Sequence, residues 1–231
     1  MTNQSFKHRL RTGTPQIGIR SQFCSSIVAE ALGFCGFDYV YLDMEHAPNN
    51  LMLVLQQCQA IAGTPAVPVI RIPANDPVLI QQLLDVGIEN IVVPMVNTVE
   101  DAQQAAAATR FPPKGIRSVT GVHRGNDYGA QSDYNQTVEA RICLIVQIES
   151  RDALALISDI AAVDGVSGIL FGPADLAADF GCLGKSNHPE VIAAIAASLP
   201  HVKARGNSSA CPPAMRNQAA NGSHWAAISS R

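Results

Sequence analysis

The stretch Asp38-Tyr39-Val40-Tyr41-Leu42-Asp43-Met44-Glu45-His46 begins as a strand and ends in ionisable groups. Tyr39 to Leu42 are aromatic or aliphatic, with β-branched Val40 among them, which is the composition of a pleated and buried segment. Asp43, Glu45 and His46 then place three titratable side chains within four residues, and Pro48-Asn49 stop the strand and open a helix. Packing accounts poorly for acids and a histidine at the carboxyl end of an apolar strand, but in an α/β barrel that is where catalytic groups sit. Two later stretches repeat the design. Ile142-Cys143-Leu144-Ile145-Val146-Gln147-Ile148-Glu149 and Gly168-Ile169-Leu170-Phe171-Gly172-Pro173-Ala174-Asp175 are apolar strands that close on a carboxylate. Together the three strands bring His46, Glu149 and Asp175 to one rim.

Working outward, strand-like segments recur at 15–19, 38–43, 66–72, 90–95, 142–149 and near 168–172. Helical patterns follow at 26–32, 51–62, 77–86, 99–109, 153–160 and 189–198. The polar segment 207–211 and the segment 224–229 read as a seventh and an eighth strand. This alternation predicts an α/β fold of the parallel (β/α)8 TIM-barrel type, a single domain over 1–231, with the final helices missing. A flavodoxin-like open sheet is the alternative and leaves the last third of the chain without a role. Residues 111–135, with a Pro-Pro pair and several glycines, read as a long binding loop or lid.

Composition narrows the function. The chain has 231 residues, 47% hydrophobic and 15% charged, with a formal net charge of −3. That suits a globular core and offers no basic face for nucleic acid. No apolar run reaches the length of a membrane span, and the first eleven residues lack the apolar core of a secretory signal, so the expected setting is cytoplasmic. None of the six cysteines forms a C-x-x-C pair, and they read as reduced structural residues. Gly181-Cys182-Leu183-Gly184 is too short a glycine pattern to mark phosphate binding.

Glu149 and Asp175 are the metal candidates, since two carboxylates with open positions suit a hard divalent ion; the alternative is that both cap helices. His46 is the acid–base candidate because imidazole titrates near neutrality, and it too has a capping role as its alternative. Asp43 and Asp85 are placed to orient its ring or to hold a metal-bound water. Asp85 ends a helix, where an anion is disfavoured and needs a specific partner. Arg71 closes the third strand, where a planar guanidinium suits a carboxylate or enolate oxygen, or else a structural ion pair. The N–H groups of the Gly172-Pro173-Ala174-Asp175 turn suit a substrate carboxylate. Arg117 and Arg124 lie in the long loop, either to close over an anion or to be solvated.

These residues resemble those of the metal-dependent (class II) pyruvate aldolases of the 4-hydroxy-2-oxoheptanedioate aldolase and citrate lyase-like family. The shared strings are Asp43-Met44-Glu45-His46-Ala47-Pro48-Asn49, Val69-Ile70-Arg71-Ile72-Pro73, Leu83-Leu84-Asp85-Val86-Gly87, Pro94-Met95-Val96 and Phe111-Pro112-Pro113-Lys114-Gly115-Ile116-Arg117-Ser118. They continue with Gln147-Ile148-Glu149-Ser150, Gly172-Pro173-Ala174-Asp175-Leu176 and His188-Pro189-Glu190-Val191. The resemblance implies a carbon–carbon lyase of sugar-acid or aromatic catabolism. It cleaves a 4-hydroxy-2-oxo acid, such as 4-hydroxy-2-oxoheptanedioate or a 2-keto-3-deoxy sugar acid, to pyruvate and an aldehyde through a metal-stabilised pyruvate enolate. Implied roles are Mg²⁺, Mn²⁺ or Co²⁺ on Glu149 and Asp175, Arg71 at the enolate oxygen, and His46 with Asp43 or Asp85 at the C4 hydroxyl. Gln147 and Gly172, Pro173 and Ala174 fall to the pyruvyl group. A homo-oligomer is implied, hexameric in the family. Two alternatives remain: a metal-dependent decarboxylase or macrophomate-synthase-like enzyme, and a non-catalytic degenerate barrel. Arg20 stands where many members carry Trp.

Overall fold

Strand alternation decides which side chains meet in the computed structural model, which describes residues 5–12, 15–204, 208–211 and 225–229. The strands are β1 (Gln16–Ser21), β2 (Tyr39–Asp43), β3 (Val67–Arg71), β4 (Asn90–Val93), β5 (Cys143–Ile148), β6 (Val166–Phe171), β7 (Ser208–Cys211) and β8 (Trp225–Ser229). The helices are α1 (Phe6–Arg11), α2 (Ser26–Phe34), α3 (Leu51–Ile61), α4 (Pro77–Asp85), α5 (Val99–Ala108) and α6 (Tyr134–Arg141). They continue as α7 (Arg151–Ala155), α8 (Ile157–Ala161), α9 (Pro173–Asp179) and α10 (Pro189–Ala204). No helix among the described residues is long and apolar enough to cross a membrane.

Strands β1 to β6 lie side by side in chain order and every neighbouring pair is parallel, forming a six-stranded parallel sheet. Short β7 adds parallel to β6. β8 then pairs antiparallel with both β7 and β1. The expected (β/α)8 TIM barrel is therefore corrected: that architecture needs eight parallel strands, and here the last strand runs against its neighbours. The physical reason lies in the short connection between the last two strands: 13 residues, 212–224, with Pro212-Pro213 and Asn221-Gly222 among them, whereas a parallel return needs a crossover of about a dozen residues or more, usually a helix. Asn207 and His224, at the edges of the two last expected strands, lie outside the described residues, as does the segment 212–224. The expected loss of the final helices likewise concerns chain beyond those residues.

With a period of two, each inner strand sorts its residues between two cores. Val40, Leu42, Ile70, Ile91, Val93, Leu144, Val146, Ile148, Ile169 and Phe171 face the helices in the larger core. Tyr39, Tyr41, Val69, Val92, Cys143 and Ile145 face inward, where Phe6 and Leu10 of α1 join them. The Phe6 and Tyr39 rings meet edge to face with centroids 5.5 Å apart. Gly18 leaves room for this: a Cβ there would stand 2.2 Å from the Tyr39 ring. Helix α1 was not expected from the sequence, because only Phe6 and Leu10 of its six residues are buried.

The inner parity also sets the rim. Asp43 continues Tyr39 and Tyr41, Arg71 continues Val69, and Gln147 and Glu149 continue Cys143 and Ile145. The same inward face is thus apolar low in the sheet and polar at the carboxyl ends. The segment expected as one helix over 153–160 is two short helices, α7 and α8, with Leu156 as the break. The long loop holds a short 3-10 turn, Arg124–Gly129, and α6.

Candidate active site

Asp43 is the hub of the rim. It is fully buried and both its oxygens are used. Arg71 binds it side-on, with Nε 3.0 Å from Oδ1 and Nη2 2.7 Å from Oδ2. Arg20, on the inner face of β1, donates to Oδ2 through Nε at 2.9 Å and again through Nη2. Gln22 reaches the same oxygen at 3.3 Å, while the backbone N–H groups of Glu45 and His46 donate to Oδ1 at 3.0 and 3.3 Å. Burial works to raise the Asp43 carboxyl, but the hydrogen bonds and charges of Arg71 and Arg20 overcome it and hold the group below the usual carboxylate range. The same pairing outweighs the burial of Arg71 and holds that cation protonated.

Glu45 sits beside this cluster. Its Oε2 lies 2.8 Å from Arg71 Nη1, an ion pair that lacks hydrogen-bond alignment, and 3.8 Å from His46 Nε2. Burial pushes its carboxyl up, and Arg71 pulls against that. The His46 side chain is 57% exposed at the rim. The ring pairs with Glu45, while Asp43 takes the His46 main-chain N–H and not the ring.

Glu149 follows β5 and is buried. One oxygen accepts from the Met95 N–H at 2.8 Å and the other from the Gln147 amide. Met95 adopts a left-handed backbone, φ 53°, which costs a non-glycine residue about 1–3 kcal/mol and aims its N–H at the carboxylate. Gly172, just past β6, lies against that carboxylate: a Cβ there would stand 2.5 Å from Glu149 Oε1. Burial, with Asp175 and Glu45 adding negative charge, raises the Glu149 carboxyl to about 7 against the pull of its two hydrogen bonds. Asp175, exposed in the first turn of α9, is near enough for its charge to reach both acids.

This arrangement suits a hard divalent cation. Glu149 is desolvated and crowded by like charge, which a cation relieves, and the buried Gln147 Oε1 has no partner among the described residues. Of the two carboxylates expected to hold such an ion, Glu149 lies buried past β5 and Asp175 stands in the first turn of α9, close enough for its charge to act on Glu149. Of the turn expected to bind a carboxylate, Gly172 spends its N–H on Ile148 O at 3.0 Å and Pro173 has none. That leaves the N–H groups of Ala174 and Asp175 at the start of α9.

Other expected residues are placed differently. Asp85 ends α4 and is bound by Arg117 Nη2 at 2.8 Å, which supplies the partner its helix end demands. Arg117 is buried, also donates to Tyr134 Oη at 3.1 Å and stacks on Phe111, so it fastens the loop. Arg124 donates to Val86 O at 2.5 Å. Arg20, Gln22, Glu45 and the Met95 N–H were not assigned to the site from the sequence. The period-two step from Gly18 to Arg20 carries the signal for the first; the backbone turn at Met95 has none.

Comparison with known proteins extends these findings. Residues 17–216 match the model of the HpcH/HpaI aldolase/citrate lyase family. The chain is 47% identical over 204 residues to a 5-keto-4-deoxy-D-glucarate aldolase of Enterobacter sp. (strain 638), covering 88% of this chain and 80% of that protein. It is 47% identical over 207 residues to a 4-hydroxy-2-oxo-heptane-1,7-dioate aldolase of Klebsiella pneumoniae, covering 89% and 78%. A crystal structure of a member of this family from Burkholderia cenocepacia J2315 superposes with a TM-score of 0.84 at 40% identity, over 88% of this chain and 82% of that one.

Proposed function

The chain belongs to the HpcH/HpaI aldolase/citrate lyase family, and from that premise we propose that it is a carbon–carbon lyase. It cleaves a 4-hydroxy-2-oxo acid, of the heptanedioate or keto-deoxy sugar acid type, to pyruvate and an aldehyde. The observation that carries this reading is the buried Glu149 carboxylate, oriented by Met95 N–H and Gln147 and backed by Gly172, beside an arginine-bound aspartate and an exposed histidine.

A divalent cation on Glu149 and Asp175, when bound, supplies Lewis-acid charge to the carboxylate and 2-oxo oxygens of the keto acid. Gln147 orients the pyruvyl end with its amide, and the Ala174 and Asp175 N–H groups face the acid's carboxylate. Arg71, clamped by Asp43, presents Nη1 where charge develops on the 2-oxo oxygen; its misaligned contact with Glu45 is easily exchanged. His46 takes the proton of the C4 hydroxyl. The C3–C4 bond then breaks, its electron pair passes into the enolate, the aldehyde leaves, and protonation at C3 gives pyruvate. We assign the protein to a homo-oligomer, for which sedimentation is the check.

The test is pyruvate release from 4-hydroxy-2-oxoheptanedioate and keto-deoxy sugar acids, with Mg²⁺, Mn²⁺ or Co²⁺ against EDTA. Release is expected with metal and not with EDTA, and Glu149→Gln is expected to abolish it while the protein stays folded. Full turnover in EDTA, or in Glu149→Gln, refutes the assignment. His46→Ala is expected to impair aldol cleavage more than oxaloacetate decarboxylation, which has no C4 hydroxyl; equal losses remove His46 from proton transfer.

A further inference from the structure

A second set of ligand-type side chains meets beyond α9. Cys182, His188 and Glu190 each bring one ligand atom (thiol sulfur, imidazole nitrogen, carboxylate oxygen) to within 4.8 Å of the others. Among the described residues this is the one place where three such side chains converge so closely. The backbone between them is built for it. Gly181 and Gly184 take left-handed φ of 75° and 78°, which fold the segment back on itself. Cys182 N–H donates to Ala177 O at 2.6 Å, Lys185 N–H to Cys182 O at 2.9 Å and His188 N–H to Lys185 O at 2.8 Å. Glu190 stands in the first turn of α10.

A second observation points to a ligand. His188 Nδ1 is buried and has no hydrogen-bond partner among the described residues. An unpartnered buried polar atom costs about 1–3 kcal/mol, and an imidazole nitrogen with a free lone pair is the commonest metal ligand. The Cys182 thiol makes only a long contact, 3.8 Å, to Phe180 O. Nothing in the lyase chemistry uses these three residues.

We propose that Cys182, His188 and Glu190 form a second metal site, independent of the Glu149–Asp175 pair, for a transition-metal ion of the zinc class. Thiolate and imidazole favour a borderline-soft ion in tetrahedral coordination, whereas the all-oxygen pair at the rim favours Mg²⁺ or Mn²⁺. Binding displaces the thiol proton to solvent, and water or a further ligand takes the fourth position. Tetrahedral Zn–S and Zn–N bonds put ligand atoms roughly 3.5 Å apart, so the side chains close by about 1 Å through rotation. The bound ion ties the end of α9 to the start of α10.

The full-length protein, held in excess Mg²⁺ to fill the rim, is titrated with Co²⁺ and followed by absorption. A near-ultraviolet thiolate-to-cobalt band and visible bands of tetrahedral cobalt are expected, saturating at one equivalent and bleached by Zn²⁺. Cys182→Ser is expected to lose the near-ultraviolet band and His188→Gln to weaken cobalt binding, while Glu149→Gln keeps both. That last variant separates this site from the lyase reading. Should a variant fail to fold, the wild-type protein still decides: Zn²⁺ is expected to protect Cys182 from iodoacetamide, read on its peptide by mass spectrometry. A missing thiolate band, a band that survives Cys182→Ser, or alkylation of Cys182 unchanged by Zn²⁺ overturns the site.

Discussion

At the scale of single residues, the rim depends on two kinds of compensation. Asp43 is a buried anion matched by two arginines. Asp43→Asn leaves the Arg71 charge buried with half its partner, and a loss of about 3–5 kcal/mol in denaturant-monitored stability is expected. The pH dependence has a definite sign. The folded carboxyl lies below its unfolded value, so its contribution is present above the ordinary aspartate range and is lost as pH falls through the folded value. Acid unfolding of Asp43→Asn is therefore expected to be less steep than that of the wild type. Glu149 has the opposite sense: raised to about 7, it favours the protonated folded state, and the stabilisation it gives below its unfolded value is lost as pH rises through about 7. A cation competes with that proton, so Mn²⁺ affinity measured by calorimetry is expected to weaken as pH drops below about 7. Gly172 stands where no Cβ fits beside Glu149, and Gly172→Ala is expected to lower kcat/KM at least about tenfold by moving the carboxylate. Wild-type kinetics in that variant would mean that the carboxylate's position is immaterial.

At the scale of elements, the strands deliver the chemistry and the caps hold their ends in place. Ser150 follows Glu149 and opens α7, with its hydroxyl accepting from Ala153 N–H at 3.1 Å and donating to Asn97 Oδ1 at 2.6 Å. One side chain thus joins the end of β5 to the segment after β4, the two places from which Glu149 and the Met95 N–H come. Ser150→Ala is expected to cost about 1 kcal/mol, as a lost N-cap does, and to reduce metal affinity as well. A change in melting temperature with unaltered Mn²⁺ binding would confine Ser150 to capping. Helix α4 shows how a charged helix end finds its partner. Asp85 at its carboxyl end, read in the sequence as a group to orient His46 or hold a metal-bound water, meets Arg117 from the long loop.

At the scale of the whole molecule, the inner face of the sheet carries two functions in one column of side chains. Its carboxyl end is the polar rim, and its other part is an apolar interior completed by α1. Leu10 is fully buried there with Tyr39, Val69 and Val92 in the same cluster. Leu10→Ala leaves a cavity, and an unfolding loss of about 2–5 kcal/mol is expected from urea titration. A loss under about 0.5 kcal/mol would show that α1 contributes little to the fold.

By itself the sequence determined that strands alternate with helices through β6, and that Arg71, Glu149 and Asp175, with His46, stand at or just past the carboxyl ends of strands. Both follow from local rules: apolar runs mark strands buried on two sides, and the charged residue that closes a run marks its carboxyl end. What only the tertiary structure decided involves residues distant in sequence. The antiparallel β8 depends on pairing with two strands at once. Arg20 and Arg71 on one carboxylate, Arg117 on Asp85 and the Met95 N–H on Glu149 are set by distances between folded elements. No spacing along the chain encodes those distances.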